Sequence, residues 1–298
     1  MQDSCPSREP IVRRKRRVCL GLMLAAILGV RLVDARPDPP RVVRAPVALA
    51  PATAAATPFE TLIRCDPLAA LIEARARHLR EVSDYECRMI KQELLPSGMS
   101  DEQEVKVKYR QEPFSVYMEW VRNPGLADRV LYVKGRWIDR RAHDPQDREL
   151  AVAQPGIIAR LFVKSVMRPI HGQLARSMSR HSIDEFGFQN MLDRLIKHCE
   201  LARSRGELSL VFRGESRFDG RPVWVIRRRL PYTGEGGLYP DRTADILIDR
   251  QYRVPIAIYS YSDEAERPGC LIGKYEFHDL RMGVGLTAKD FEPATYGM

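Results

Sequence analysis

Between residues 85 and 120 the chain alternates apolar and polar side chains with a period of two. Tyr85, Cys87 and Met89 alternate with Glu86 and Arg88, and Val105, Val107 and Tyr109 with Lys106, Lys108 and Arg110. Phe114, Val116, Met118 and Trp120 alternate with polar Ser115 and Glu119. Successive side chains of a strand point to opposite faces, so this pattern specifies strands with one buried face and one wetter face. Pro96-Ser97-Gly98, Glu112-Pro113 and Asn123-Pro124-Gly125 separate the runs as turns. Leu131–Val133 and Arg136–Ile138, joined around Lys134-Gly135, complete an expected five-strand antiparallel meander.

Strands resume late in the chain, at 208–213, 222–230, 244–249, 255–261 and 271–280, with Asp219-Gly220 as a hairpin turn. Helical spacing appears in three places. Asp66-Pro67 is a cap followed by a first-turn proline, and Leu68, Leu71, Ile72, Leu79 and Val82 make one apolar stripe behind it. Ile157, Ile158, Leu161, Phe162 and Val166 predict a short apolar helix ending before Pro169. Ser182 with Glu185 is a capping-box pair, and Met191, Leu192, Leu195, Ile196 and Cys199 carry that helix on towards Gly206. Strands never alternate with helices, so a parallel sheet is excluded. The expected class is α+β: one curved antiparallel sheet with helices on one face.

The first residues bear on address more than on fold. Arg13–Arg17 are basic, Val18–Val30 are apolar without a charge, and Val33-Asp34-Ala35 offers small or apolar residues at a cleavage site. That order is an export signal. The apolar run of 13 residues is short of the roughly 20 a spanning helix needs, so cleavage after Ala35 is expected, with a retained anchor as the alternative. Arg36–Pro58 holds six prolines and no aromatic, a composition that forms a tether and no core. The expected organisation is a signal peptide over 1–35, a linker over 36–58 and one domain over 59–298. The destination is the periplasm or another part of the cell envelope.

Charge and cysteine counts change with cleavage. The chain carries +9, but residues 1–35 hold seven basic against three acidic residues. The remainder is only mildly basic, which argues against a nucleic-acid partner and fits peripheral contact with anionic lipid headgroups. Four cysteines remain: Cys65, Cys87, Cys199 and Cys270. A helix of about 24 Å separates Cys65 from Cys87, so any bridge should join one of these two to Cys199 or Cys270; buried free thiols are the alternative. No spacing suits zinc or a zincin helix, no Gly-x-Ser-x-Gly elbow is present, and no cofactor is implied. Gly234-Glu235-Gly236-Gly237, lacking the lysine of a phosphate loop, is expected to be a mobile hairpin loop between Tyr232 and Tyr239. No catalytic residue and no metal ligand is assigned.

Three segments carry a family resemblance: Lys108–Trp120, containing Pro113-Phe114-Ser115-Val116-Tyr117-Met118; Leu131-Tyr132-Val133-Lys134-Gly135; and Ser179-Arg180-His181-Ser182-Ile183. Together, over about Leu62–Phe291, they resemble a bacterial family of unknown function, number fifteen-seventy-one. Ser182 stands where members often have proline after the Arg-His pair. The resemblance implies a fold similar to the LolA/LolB-type periplasmic lipoprotein carriers, an unclosed β-barrel whose helices lie over the concave face and line a hydrophobic cavity.

The candidate cavity residues are therefore the large apolar ones: Tyr117, Met118, Trp120, Tyr132, Trp137 and Trp224. Candidates for its rim are Arg180 and His181 at a helix mouth, and Arg228, which strand alternation points away from Arg227 and Arg229. The expected function is non-enzymatic binding of a lipid, acyl chain or lipoprotein segment. A cavity-free interaction module of the envelope and an envelope hydrolase are the alternatives.

Overall fold

A computed structural model describes residues 57–298 except Ile157. The expected leader and nearly all of the expected linker lie outside the described residues. The chain opens with helix α1 (Pro58–Cys65), whose cap Thr57 accepts a hydrogen bond from the Glu60 amide, and α2 (Pro67–Glu81). Asp66 caps α2 as its sequence signature requires, accepting from Ala69 N at 3.0 Å with Pro67 in the first turn. Helix α1 carries little sequence signal of its own, since only Phe59 and Ile63 are buried.

Twelve strands follow, all paired antiparallel. They are β1 (Asp84–Leu95), β2 (Gly98–Met99), β3 (Gln103–Arg110), β4 (Ser115–Arg122), β5 (Ala127–Val133), β6 (Leu150–Pro155), β7 (Val166–Pro169), β8 (Ser209–Phe218), β9 (Arg221–Arg229), β10 (Thr243–Asp249), β11 (Pro255–Tyr261) and β12 (Leu271–Met282). The order across the sheet is β7-β6-β5-β4-β3-β1-β12-β11-β10-β9-β8, with β2 folded back on β1. The chain thus starts at the centre, meanders to one edge, crosses to the other edge and meanders back until β12 pairs with β1. The sheet does not close, because β7 and β8 remain its edges.

The crossover between the edges contains α3 (Gln173–Met178) and α4 (Phe188–Ser204). Helices α1, α2 and α4 share one large core with the sheet, built from Phe59, Leu71, Phe188, Leu192 and Cys199 against Tyr85, Val107, Tyr109, Ile226, Ile246 and Phe277. The other face is wetter and carries a smaller cluster. Tyr117, Leu131, Val133 and Val152 pack there around fully buried Phe291 from the C-terminal segment. The fold is α+β, an unclosed curved antiparallel sheet with helices over one face.

Several expectations need correction. Arg136–Ile138 is no strand: it forms a turn, and Ile138 makes a single bridge to Glu149. The fifth strand's role passes to β6, whose Ala151 and Ala153 face the helices while Leu150 and Val152 alternate with them. Both faces of β6 are apolar, which hides the period-two signal. The predicted apolar helix before Pro169 is a single 3-10 turn at Ala159–Leu161 followed by β7. Pro155-Gly156 and Pro169 bracket that segment, and pairing Val152 with Met167 extends the sheet in place of the helix. The helix expected from Ser182 to Gly206 is broken. Its capping box sits on a 3-10 turn (Ile183–Glu185), and α4 begins only after Gly187. The four cysteines are free thiols; Cys87 and Cys199 are buried, Cys270 is partly buried and Cys65 is exposed. No cysteine pairing forms among the described residues.

Candidate functional site

Helices α2 and α4 fill the face over β1, β3 and the strands towards β8. Over β4 to β7 the cover is thinner, because α3 is short and residues 179–187 have no regular helix beyond one 3-10 turn. A cavity of about 520 Å³ lies there between the sheet and the crossover. Ligand pockets commonly hold about 300–1,000 Å³. Its sheet side is formed by Met89, Met118, Trp120, Val130, Ala153 and Phe277, and its cover by Ile170, Leu174, Met178, Ile183, Phe186 and Met191. The small side chains Ala127, Ala151 and Ala153 on β5 and β6 leave room that Leu or Val would fill. Trp120 is fixed at one wall by its indole N–H, which donates to Gln103 Oε1 at 3.2 Å.

One end of the cavity is polar. Glu93, 2% exposed, lies beside Lys91 at 2.8 Å (Nζ to Oε2). Tyr275 donates its hydroxyl to Glu93 Oε1 at 2.7 Å, and Ser179 bonds Glu93 Oε2 at 3.1 Å while accepting from Lys91 Nζ at 3.2 Å. The cluster is built by register: Lys91 sits opposite Tyr275 and Glu93 opposite Gly273 across β1 and β12. Burial pushes the Glu93 carboxyl up, but the Lys91 charge and the hydrogen bonds from Lys91 and Tyr275 outweigh it, leaving it below the ordinary range. Burial raises the Tyr275 phenol well above its ordinary value, reinforced by the Glu93 charge. Next to this cluster His181 lines the cavity, with Nδ1 3.7 Å from Glu185 Oε2. The nearby His181 imidazole lowers the Glu185 carboxyl to about 2, helped by the hydrogen bond from the Ser182 amide and against burial.

The sequence candidates divide by strand parity. Met118 and Trp120 line the cavity. Tyr117, just before Met118, points to the opposite face and stacks on Tyr296 at 3.7 Å. Trp137 belongs to that same far face, under Arg136. Tyr132 lies on the helix side but is fully buried, with its hydroxyl donated to Glu149 at 2.9 Å. Trp224 is far along the sheet in the main core, against Phe59 at 5.3 Å.

Arg180 turns away from the large cavity to bond Leu94 O and Glu235, both at 3.2 Å, so the Gly234–Gly237 loop rests on it. Arg228 does point away from Arg227, which pairs with Asp245 and Glu266. It is buried and paired with Asp241 at 2.7 Å, beside a separate space of about 130 Å³ under α4. Only His181 of the three rim candidates reaches the large cavity. Residue type alone missed Lys91, Glu93, Ser179 and Tyr275. Their one signal was a charged pair, Lys91 and Glu93, at the inward positions of a strand whose earlier inward residues are Tyr85, Cys87 and Met89.

Among the described residues no group of His, Cys, Asp and Glu is placed to hold a metal ion, and no helix is long and apolar enough to cross a membrane. Ser179 has Lys91 and Glu93 within bonding distance, but the lysine is committed to Glu93, and a carboxylate held below its ordinary range is a weak base. These bonds hold the Ser179 hydroxyl in place.

Similar architectures occur in solved structures at low identity. MucB is 13% identical, with 76% of this chain and 62% of MucB covered and a TM-score of 0.44. A putative outer membrane lipoprotein-sorting protein domain from Vibrio parahaemolyticus is 12% identical (78% and 98% covered, TM-score 0.34). The lipoprotein LppX of Mycobacterium tuberculosis is 11% identical (74% and 98% covered, TM-score 0.37). The chain therefore spans about three fifths of MucB's length. No curated protein matches the sequence. The family model described as a protein of unknown function (DUF1571) matches residues 82–296, from the end of α2 through the strands and the crossover that covers the cavity to the C-terminal segment, and the chain belongs to that family.

Proposed function

We propose that this protein is a non-enzymatic component of the cell envelope that binds a lipid or acyl chain in the cavity between β4–β7 and the crossover. The observation that carries the proposal is a space of about 520 Å³ with largely apolar walls and a hydrogen-bonded cluster of Lys91, Glu93, Ser179 and Tyr275 at one part of its lining. An amphiphile matches that layout. Its tail would lie along Met118, Val130, Ala153 and Leu174, and its polar group would meet Lys91, Ser179 and His181. Dry apolar walls favour hydrocarbon, and a satisfied polar cluster gives the head a defined place. The export-type sequence before residue 36 supports an envelope address. A cavity-free interaction module would need the crossover to fill this face, and the thin cover over β4–β7 counts against it.

The test is ligand occupancy. Organic extraction and mass spectrometry of the purified protein should release a lipid, and a fluorescent fatty-acid probe should bind it. Ala153→Trp, which places an indole into the cavity from β6, should weaken the probe by at least about tenfold while the circular dichroism spectrum is kept. If no lipid is extracted and the probe does not bind, the proposal fails.

A further inference from the structure

The connection between β6 and β7 reverses the usual arrangement of a surface turn. Ile158, Leu161 and Phe162 are 75%, 80% and 84% exposed, and the spacing of three puts Ile158 and Leu161 on one side of the 3-10 turn. Arg160, between them, is drawn inward: Nη2 lies 3.1 Å from Asp128 and Nη1 bonds Gln154 at 3.2 Å. The turn is closed by Phe162 N and Val163 N donating to Ala159 O, each at 3.0 Å. The charged residue is thus the anchor and the apolar residues are the surface. Ordinary surface turns are polar, and a cluster of large exposed apolar side chains marks a contact site.

The same end of the sheet carries the cavity's apolar edge. Ala127 pairs with Pro155, so the β4–β5 turn and the β6–β7 turn leave the sheet together. Leu126 in the first of these is 60% exposed and also lines the cavity, as does exposed Leu174 on α3. Charge then selects the partner. From Leu150 to Ile183 the chain has no Asp or Glu, and it has Arg160, Lys164, Arg168, Arg176 and Arg180. Lys164, Arg168 and Arg176 are exposed, and among the described residues none has a carboxylate within ion-pair distance. Exposed apolar side chains in a segment that carries cations and no carboxylate fit the surface of an anionic bilayer, with the apolar groups at the acyl boundary and the cations among the headgroups.

We infer that the β6–β7 turn, through Ile158, Leu161 and Phe162 with Lys164, Arg168 and Arg176 in the same segment, docks this protein on an anionic membrane surface with the cavity's Leu126–Leu174 edge next to the lipid. Docking goes beyond the cavity proposal and does not require the cavity to be occupied.

The experiment is vesicle co-sedimentation of the purified protein and its Leu161→Glu/Phe162→Glu variant. Both proteins share residues 1–56, so their difference reports the turn alone. With vesicles of phosphatidylglycerol and phosphatidylcholine the variant should bind at least about tenfold more weakly than the parent. A second variant, Lys164→Gln/Arg176→Gln, should lose the preference for these vesicles over pure phosphatidylcholine. Fatty-acid probe binding and melting temperature, measured on the same samples, should be unchanged in both variants. Probe failure with turn-dependent sedimentation would refute the cavity proposal and leave docking standing. Equal vesicle binding by parent and Glu variant would overturn docking. So would native mass spectrometry showing a dimer that the Glu substitutions dissolve, since the turn would then be covered by a second copy.

Discussion

His78 shows how much one buried side chain decides. It lies on α2 in the core, 2% exposed, edge-on to Phe188 with ring centroids 6.1 Å apart, and neither ring nitrogen has a partner. Burial disfavours the imidazolium and lowers the group to about 4. The unfolded chain takes up its proton near pH 6.5, so it binds more protons than the folded chain between those values. Stability is therefore full above pH 6.5 and falls as pH drops towards 4, by up to about 3 kcal/mol. His78→Leu removes both this penalty and two unsatisfied polar atoms. Urea midpoints measured at pH 7 and pH 4.5 should favour the variant, with the larger gain at the lower pH. An equal gain at both would mean that folding does not lower the His78 pKa. Parity is the other lesson at this scale. Tyr117 and Met118 are neighbours in sequence and both are large, yet they serve opposite faces of β4. A list drawn by residue type mixes the two faces, and alternation separates them.

Among the elements, the break before α4 is the most informative. Gly187 has φ +109°, and a Cβ there would come within 2.8 Å of the Tyr109 ring. Both backbone and neighbour therefore demand glycine, and the ring that excludes a side chain is itself stacked on Tyr85 at 4.6 Å. Gly187→Ala should cost about 2 kcal/mol or more in urea unfolding, and should perturb the cavity wall formed by Phe186 and Met191. A loss below about 0.5 kcal/mol would show that the ring moves freely. The strands were legible because alternation and turn chemistry agree. Asp219 and Gly220, with φ of +50° and +73°, make the hairpin that their dipeptide promises. Residues 150–187 were less legible, and they build the cavity's cover. Alanines on β6 blur alternation, prolines cut helical spacing short, and the capping box at Ser182 caps only a single turn. Lys91 and Glu93 follow the same logic, since their pairing depends on Ser179 and Tyr275 arriving from 88 and 182 residues away.

At the scale of the whole molecule the two faces of the sheet are closed by different parts of the chain. Helices cover one face, and the C-terminal segment covers part of the other, where Phe291 is fully buried against Tyr117, Leu131, Val133 and Val152. Phe291→Ala should cost about 3–5 kcal/mol and should increase binding of an environment-sensitive apolar dye, with fatty-acid binding retained because the cavity is on the opposite face. Loss of fatty-acid binding at a temperature where the variant is still folded would show that the two faces are coupled. The strand order has a further consequence, in time. The centre of the sheet joins β1 to β12, the first long strand to the last. While a ribosome makes the chain, β1 through β7 can assemble with one flank of β1 bare, and that flank stays bare until Met282 has emerged. At ordinary elongation speeds of about 5–20 residues per second this wait lasts roughly ten to forty seconds. An unpaired strand edge is an invitation to pair wrongly. For this protein the hazardous interval falls during synthesis, and a holdase that shields β1 should raise its yield more than one that acts on the finished chain.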